Sequence, residues 1–156
     1  MSKVVFFTDG AASMKKIGNQ YVRQAGGWAW VRVIDDKTSD FDSGGEKSTS
    51  NNRMELMAIY EALKNFKKEY SQFDECVIYS DSAYSINVIT QWSKTWARNG
   101  WTKKGGEIQN LELIKEIYNL VNEFPNLSFI KVKGHAGDKW NELVDNLAVQ
   151  AKKQQE

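Results

Sequence analysis

Residues 76–92, CVIYSDSAYSINVITQW, decide the architecture of this chain. CVIYS is a short, continuous apolar run that stops at Asp81, the signature of a buried strand, and from Ser82 the apolar residues take up helical spacing. Downstream, ELIKEIYNLVNEF (112–124) reads as a helix, with Ile108, Leu111, Ile114, Leu120 and Val121 as its buried stripe and Pro125–Asn126 as its stop. LSFIKVK (127–133) reads as a strand. WNELVDNLAVQAKK (140–153) is a last helix with Trp140, Leu143, Val144, Leu147 and Ala151 turned inward. Upstream, Met54, Met57, Ala58, Leu63 and Phe66 fall on neighbouring helical turns, and KNFKKE (64–69) closes that helix with cations near its C-terminus. KVVFFT (3–8) is a strand stopping at Asp9–Gly10. WAWVRVI (28–34) is a second, with a turn at Asp35–Asp36 and a hairpin partner over 38–45. The order is β-β-β-α-β-α-α-β-α. Strands that alternate with helices pair in parallel, so the expected fold is α/β: a five-stranded mixed sheet, three antiparallel strands then two parallel, flanked by helices.

At 156 residues the chain has the length of one compact domain, expected over 1–153 with a polar tail at 154–156 and no separate N-terminal substrate-binding domain. Lys and Arg total 21 against 20 for Asp and Glu, so the net charge of +1 excludes a globally basic protein and leaves any polyanion binding to local patches. Cys76 is the single cysteine and cannot form an intramolecular disulfide. No apolar segment is long enough for export or membrane insertion, so a soluble, cytoplasmic monomer is expected.

The single histidine, His135, sits in VKGHAG (132–137), flanked by glycine and ten residues ahead of Asp145. An imidazole with an ordinary pKa of ~6.5 suits proton transfer near neutrality. Asp9 and Asp81 stand at the C-terminal ends of strands, where open α/β sheets place their ligand crevice. Glu55 lies one turn into the first helix, and Asp145 near the start of the last. Each of these acids is set among apolar or small residues: FFTDGAA, RMELMA, IYSDSA, ELVDNLA. Four carboxylates converging in a half-buried crevice would repel one another unless cations neutralised them, and hard divalent ions with oxygen ligands do so. Between Asp81 and Glu107 there is no acid, while Lys94, Arg98, Lys103 and Lys104 are interleaved with Trp92, Trp96 and Trp101. That mixture suits a groove that tracks a phosphate backbone along a stacking wall.

TDG (8–10), NNRMELMA (51–58), SDS (80–82) and GHAG (134–137) followed by Asp145 closely resemble the type 1 ribonucleases H, in the bacterial ribonuclease HI form. The resemblance runs from the first strand to the last helix, with the motifs in the family order. It implies the ribonuclease H-like fold and an endonuclease that hydrolyses the RNA strand of an RNA/DNA hybrid without sequence preference, leaving 5′-phosphate and 3′-hydroxyl ends. It implies two Mg²⁺ ions, replaceable by Mn²⁺, held by Asp9, Glu55, Asp81 and Asp145, with His135 assisting proton or product movement. It further implies that Asn51 and Asn52 sense the hybrid and that Ser50 and Asn110, with Thr49 as a further candidate, form a pocket for a DNA phosphate. Trp96 would line a DNA channel, gripped by Lys94, Arg98, Lys103 and Lys104, whereas Trp92 is expected in the core.

The sequence departs from the family pattern at Ala11 and Ala83, where many relatives carry Ser and Gln. The stretch 12–27 is longer than the usual connection and reads as a longer hairpin or as a substrate-facing flap carrying Lys15, Lys16 and Arg23. Two alternatives are a proofreading-type exonuclease of the same fold and a catalytically silent hybrid-binding module. The first expects a second acid where Ala11 stands; the second expects a missing carboxylate, and none of the four is missing.

Overall fold

The computed structural model describes residues 3–132 and 138–156. Strands β1 (Lys3–Ile17), β2 (Gln20–Ile34) and β3 (Lys37–Thr49) form a meander, followed by helix α1 (Asn51–Glu69) and strand β4 (Glu75–Ser80). A helical segment comes next: α2 (Ala83–Asn87), a π-helical turn (Val88–Trp92) and α3 (Ser93–Arg98). Helix α4 (Leu111–Val121), strand β5 (Leu127–Lys131) and helix α5 (Lys139–Gln154) complete the chain. The sheet order is β3-β2-β1-β4-β5. β1–β2 and β2–β3 pair antiparallel, β1–β4 and β4–β5 parallel, so the five-stranded mixed sheet expected from the sequence is the observed one.

The sheet buries both faces. On one side Phe6, Leu56, Ile59, Leu63, Phe66, Ile78 and Ile114 are fully buried between the sheet, α1 and α4. On the other, Phe7, Ala29, Val31 and Val33 pack against Val144 and Ala148 of α5. Each large side chain so buried contributes roughly 1.5–3 kcal/mol. Gly27 lets α5 lie directly on β2: a Cβ there would come within 2.3 Å of the Ala148 carbonyl oxygen. Arg32, buried in β2, is held by Asn65, Ser39 and Glu69 and lies over the Tyr70 ring, so its charge is paired.

Four sequence expectations change. β1 and β2 continue well beyond Thr8 and start well before Trp28, joined by a tight turn at Gly18 with φ 63°. The 12–27 stretch is therefore largely paired strand. The helix expected over 82–92 runs on to Arg98 and loosens at its middle. There the hydroxyls of Thr90 and Ser93 donate to the carbonyls of Ile86 and Ile89, at 2.7 and 3.1 Å, competing with the backbone ladder. Leu143, expected inward, is exposed, while Val144, Ala148 and Ala151 are the buried residues of α5. Trp92, expected in the core, is 42% exposed, because the π-helical turn brings it beside Tyr84 and Trp96 on the outer surface.

Candidate active site

The last residues paired across the parallel β1–β4 ladder are Phe7 and Tyr79. Two residues farther on stand Asp9 and Asp81: Asp81 directly after the end of β4, but Asp9 in the middle of β1 rather than at the strand end expected from the sequence, because β1 continues to Ile17 paired with β2. Glu55 reaches them from the second turn of α1, so that carboxylate oxygens of Asp9, Glu55 and Asp81 all lie within 4.8 Å of one another. Gly10 makes this approach possible: a Cβ on it would sit 2.4 Å from both the Glu55 nitrogen and the Met54 carbonyl carbon. Asn51 ties the start of α1 to the same strand, its side-chain oxygen accepting from the Ala12 amide at 2.6 Å. Ser50 caps α1 by accepting from the Arg53 amide at 3.2 Å. Asp145, half-buried in α5, lies outside the 4.8 Å group but beside Asp9. His135 lies outside the described residues.

The crowding leaves a clear electrostatic mark. Asp9 is only 7% exposed. Its burial, and then the charge of Asp81, push its pKa up from 3.8 to about 7; Asp145 adds to the rise, while hydrogen bonding with Glu55 and the Gly10 amide opposes it. Glu55 is also held well above the usual carboxylate range, by burial first and by Asp9 and Asp81 next. Its Oε1 is fully buried without a hydrogen-bond partner among the described residues. A buried orphan acceptor costs roughly 1–3 kcal/mol, and more when charged. An all-oxygen cluster of this kind fits a hard divalent cation, which would satisfy the orphan and relieve the repulsion at once.

Beyond the N-terminus of α1 opens a cavity of about 350 Å³. Ser50, Asn52, Trp96, Lys103 and Asn110, all singled out from the sequence, line it together. The carboxylates do not line it; the link is α1 itself, where Asn52 faces the cavity and Glu55 follows three residues on. Asn110 adopts a left-handed conformation with φ 60° and leaves its side chain free of any capping role, so the amide bonds with Tyr84 instead. Lys94, Arg98 and Lys104 are exposed but outside this wall, and Thr49 is fully buried with its hydroxyl unpartnered among the described residues. Asn51, spent on its bond to Ala12, is also outside it. Sequence reasoning missed Tyr84 and Gln109, which line the cavity as well. Gln109 precedes a residue already chosen, and Tyr84 follows Ser82, the cap of α2, so only contact reveals their role.

A mixed sheet of this order, with acids from its two central strands and first helix gathered at one edge, defines the ribonuclease H-like class of α/β proteins. The chain belongs to the ribonuclease H family, whose model matches residues 1–153. It is 41% identical over 150 residues to the ribonuclease H of Syntrophomonas wolfei, covering 95% of this chain and 94% of that one. It is likewise 41% identical over 150 residues to that of Acetivibrio thermocellus, covering 95% and 93%. Among solved structures, LC9-RNase H1, a type 1 RNase H with the type 2 active-site motif, superposes with a TM-score of 0.79 at 29% identity, over 99% of this chain and 74% of that one. The foamy viral protease-reverse transcriptase in complex with an RNA/DNA hybrid shares the fold, with a TM-score of 0.82 at 17% identity, over 98% of this chain and 20% of that one.

Proposed function

We propose that this chain hydrolyses the RNA strand of RNA/DNA hybrids as an endonuclease, with divalent cations held by Asp9, Glu55, Asp81 and Asp145. The observation that carries this reading is the acidic cluster with its orphaned Glu55 oxygen, in a chain of the ribonuclease H family. Mg²⁺, or Mn²⁺ in its place, supplies charge neutralisation and Lewis acidity at the scissile phosphodiester when bound. Asp9, next to both Asp81 and Glu55, is the shared member of the cluster, with Asp145 of α5 beside it. As a ligand Asp9 would act in its ionised form, so it would release to solvent the proton that its raised pKa holds near neutrality.

Around this centre the chain's own side chains orient the substrate. Asn52 and Ser50 present amide and hydroxyl groups at the rim of α1, suited to sensing 2′-hydroxyls and phosphate oxygens rather than base edges, which leaves sequence unread. Asn110 and Lys103 receive a DNA phosphate in the cavity, with Trp96 as an apolar wall for a sugar. Lys94, Arg98 and Lys104 add attraction along the backbone. Asn51 contributes by fixing α1 against β1. The family resemblance assigns His135, which lies outside the described residues, an assisting role in proton or product movement. The protein works as a monomer in the cytoplasm, with one domain over 1–153.

The experiment is cleavage of four matched substrates, an RNA/DNA hybrid, duplex RNA, duplex DNA and single-stranded RNA, each with Mg²⁺, Mn²⁺ or chelator. The expected outcome is internal cuts in the RNA of the hybrid alone, with either metal and not with chelator. Hybrid bound but uncut would point to a silent binding module, and release of single nucleotides from ends to an exonuclease.

A further inference from the structure

The far half of the β1–β2 hairpin projects from the fold with apolar residues uncovered. Met14, Ile17, Tyr21 and Val22 are all exposed, Tyr21 by 66%. Bare strands of this kind are a liability unless something packs on them. The charge pattern says what. From Gly10 to Ile34 there is no acid, while Lys15, Lys16 and Arg23 are exposed cations. Among the described residues, ion pairs engage Arg32, Arg53, Lys64, Lys67 and Lys115, and none engages these three.

Register sorts the hairpin into two faces. Met14 pairs with Arg23 and Lys16 with Tyr21, so these four side chains share one face. The Lys16 ammonium lies 5.8 Å from the centre of the Tyr21 ring, which agrees with that placement. Met14 and Arg23 reach the wall of the same 350 Å³ cavity that Trp96, Lys103 and Asn110 line. The cavity is thus bounded by two acid-free, basic and aromatic stretches that are remote in sequence, 10–34 and 82–106. Two register steps along the hairpin span ~7 Å, about two nucleotides of rise at ~3.4 Å each.

We propose that the Lys16–Tyr21–Arg23 face of the hairpin is a nucleic-acid-gripping arm, closing the groove opposite the 92–106 segment. Arg23 takes a backbone phosphate at the cavity, Lys16 takes one farther out, and the Tyr21 ring packs on the sugar or base between them. This rests on the hybrid as substrate, and the test separates the two. Binding of a fluorescent hybrid is measured in chelator over 50–200 mM salt, and steady-state cleavage in Mg²⁺, for wild type, Lys16→Ala/Arg23→Ala, Tyr21→Ala and Arg23→Lys.

The double variant should raise KM about 5–20-fold with a smaller change in kcat, and flatten the plot of log affinity against log salt by about one to two units, as expected for one or two lost phosphate contacts. Tyr21→Ala should raise KM about 2–5-fold. Arg23→Lys, keeping the charge, should retain the wild-type salt slope. An unchanged slope and KM in the double variant, or absence of hybrid binding by wild type in chelator, overturns the proposal. If wild type binds the hybrid without cutting it, the hydrolytic reading fails, while the salt slopes still decide the arm. Melting temperatures matched to within a few degrees establish that the exposed substitutions left the fold intact.

Discussion

Asp9→Asn should lower the rate of hybrid cleavage by about 10³-fold or more, ~4 kcal/mol of transition-state stabilisation, and at the same time raise the thermal midpoint of the metal-free protein. Both effects have one origin. Asp9 sits in the middle of the acidic cluster, nearly inaccessible, with a pKa lifted from 3.8 to about 7 by burial and by Asp81. Asparagine offers one oxygen and no charge, so cation binding loses its shared ligand and turnover collapses. In the absence of metal the same change removes a repelled, desolvated anion.

The sign of the pH dependence follows from the raised pKa. Between about pH 4 and pH 7 the folded protein holds a proton on Asp9 that the unfolded chain has released, so the contribution of Asp9 to stability declines as pH rises through that window. The advantage of the variant should therefore be small near pH 4 and largest at pH 8. After allowance for mutual influence among the acids, ~1–2 kcal/mol is expected, or about 3–8 °C. Calorimetric melting at pH 4.5 and pH 8 in chelator checks it. A variant that melts below wild type at pH 8 would mean that Asp9 is not under strain.

Gly10→Ala should be the second most damaging change, although it removes no functional group. The added Cβ would stand 2.4 Å from backbone atoms of Met54 and Glu55, which cannot rotate away as a side-chain end would. Helix α1 must then back off from β1, carrying Glu55 out of the cluster and Asn52 away from the cavity. A displacement of ~1 Å at a catalytic group can cost ~10²-fold in rate. Overpacking should add ~1–3 kcal/mol of destabilisation. Rates measured on protein confirmed folded by circular dichroism test this, and activity within threefold of wild type would mean that the spacing of β1 and α1 is not what sets the site.

The fold was legible wherever local pattern and burial coincide. KVVFFT, CVIYS and the stripe through Met54, Leu63 and Phe66 each bury what they advertise. The three acids Asp9, Glu55 and Asp81 were legible because each interrupts an apolar stretch, although Asp9 proves to lie inside β1 and not at its end. What failed depended on neighbours. Trp92 looked like core because its size and apolarity say so, yet the π-helical turn, set by hydroxyls bonding back to the chain, rotates it outward. Leu143 looked inward from its apolarity, yet it is exposed, and α5 meets β2 through small side chains such as Ala148 and Ala151 over Gly27. The hairpin beyond Ala12 was hard to read because Met14 to Arg23 mixes cations with apolar residues and lacks the alternation of a half-buried strand. Tyr84 and Gln109 carry no pattern at all and emerge only from the convergence of two segments on one cavity.

The central claim is that Asp9, Glu55 and Asp81 form a cation site whose central ligand must release its proton to solvent when a cation binds. Calorimetric titration of the metal-free protein with Mn²⁺ at pH 6 and pH 8, in buffers of different ionisation enthalpy, tests it most directly. Asp9 is lifted to about 7 and Glu55 is also held above the usual carboxylate range, so the account predicts tighter binding at pH 8, net proton release on binding at pH 6, and severe loss of binding in Asp9→Asn. Equal Mn²⁺ affinity in wild type and Asp9→Asn, or binding with no proton release at pH 6, would contradict it.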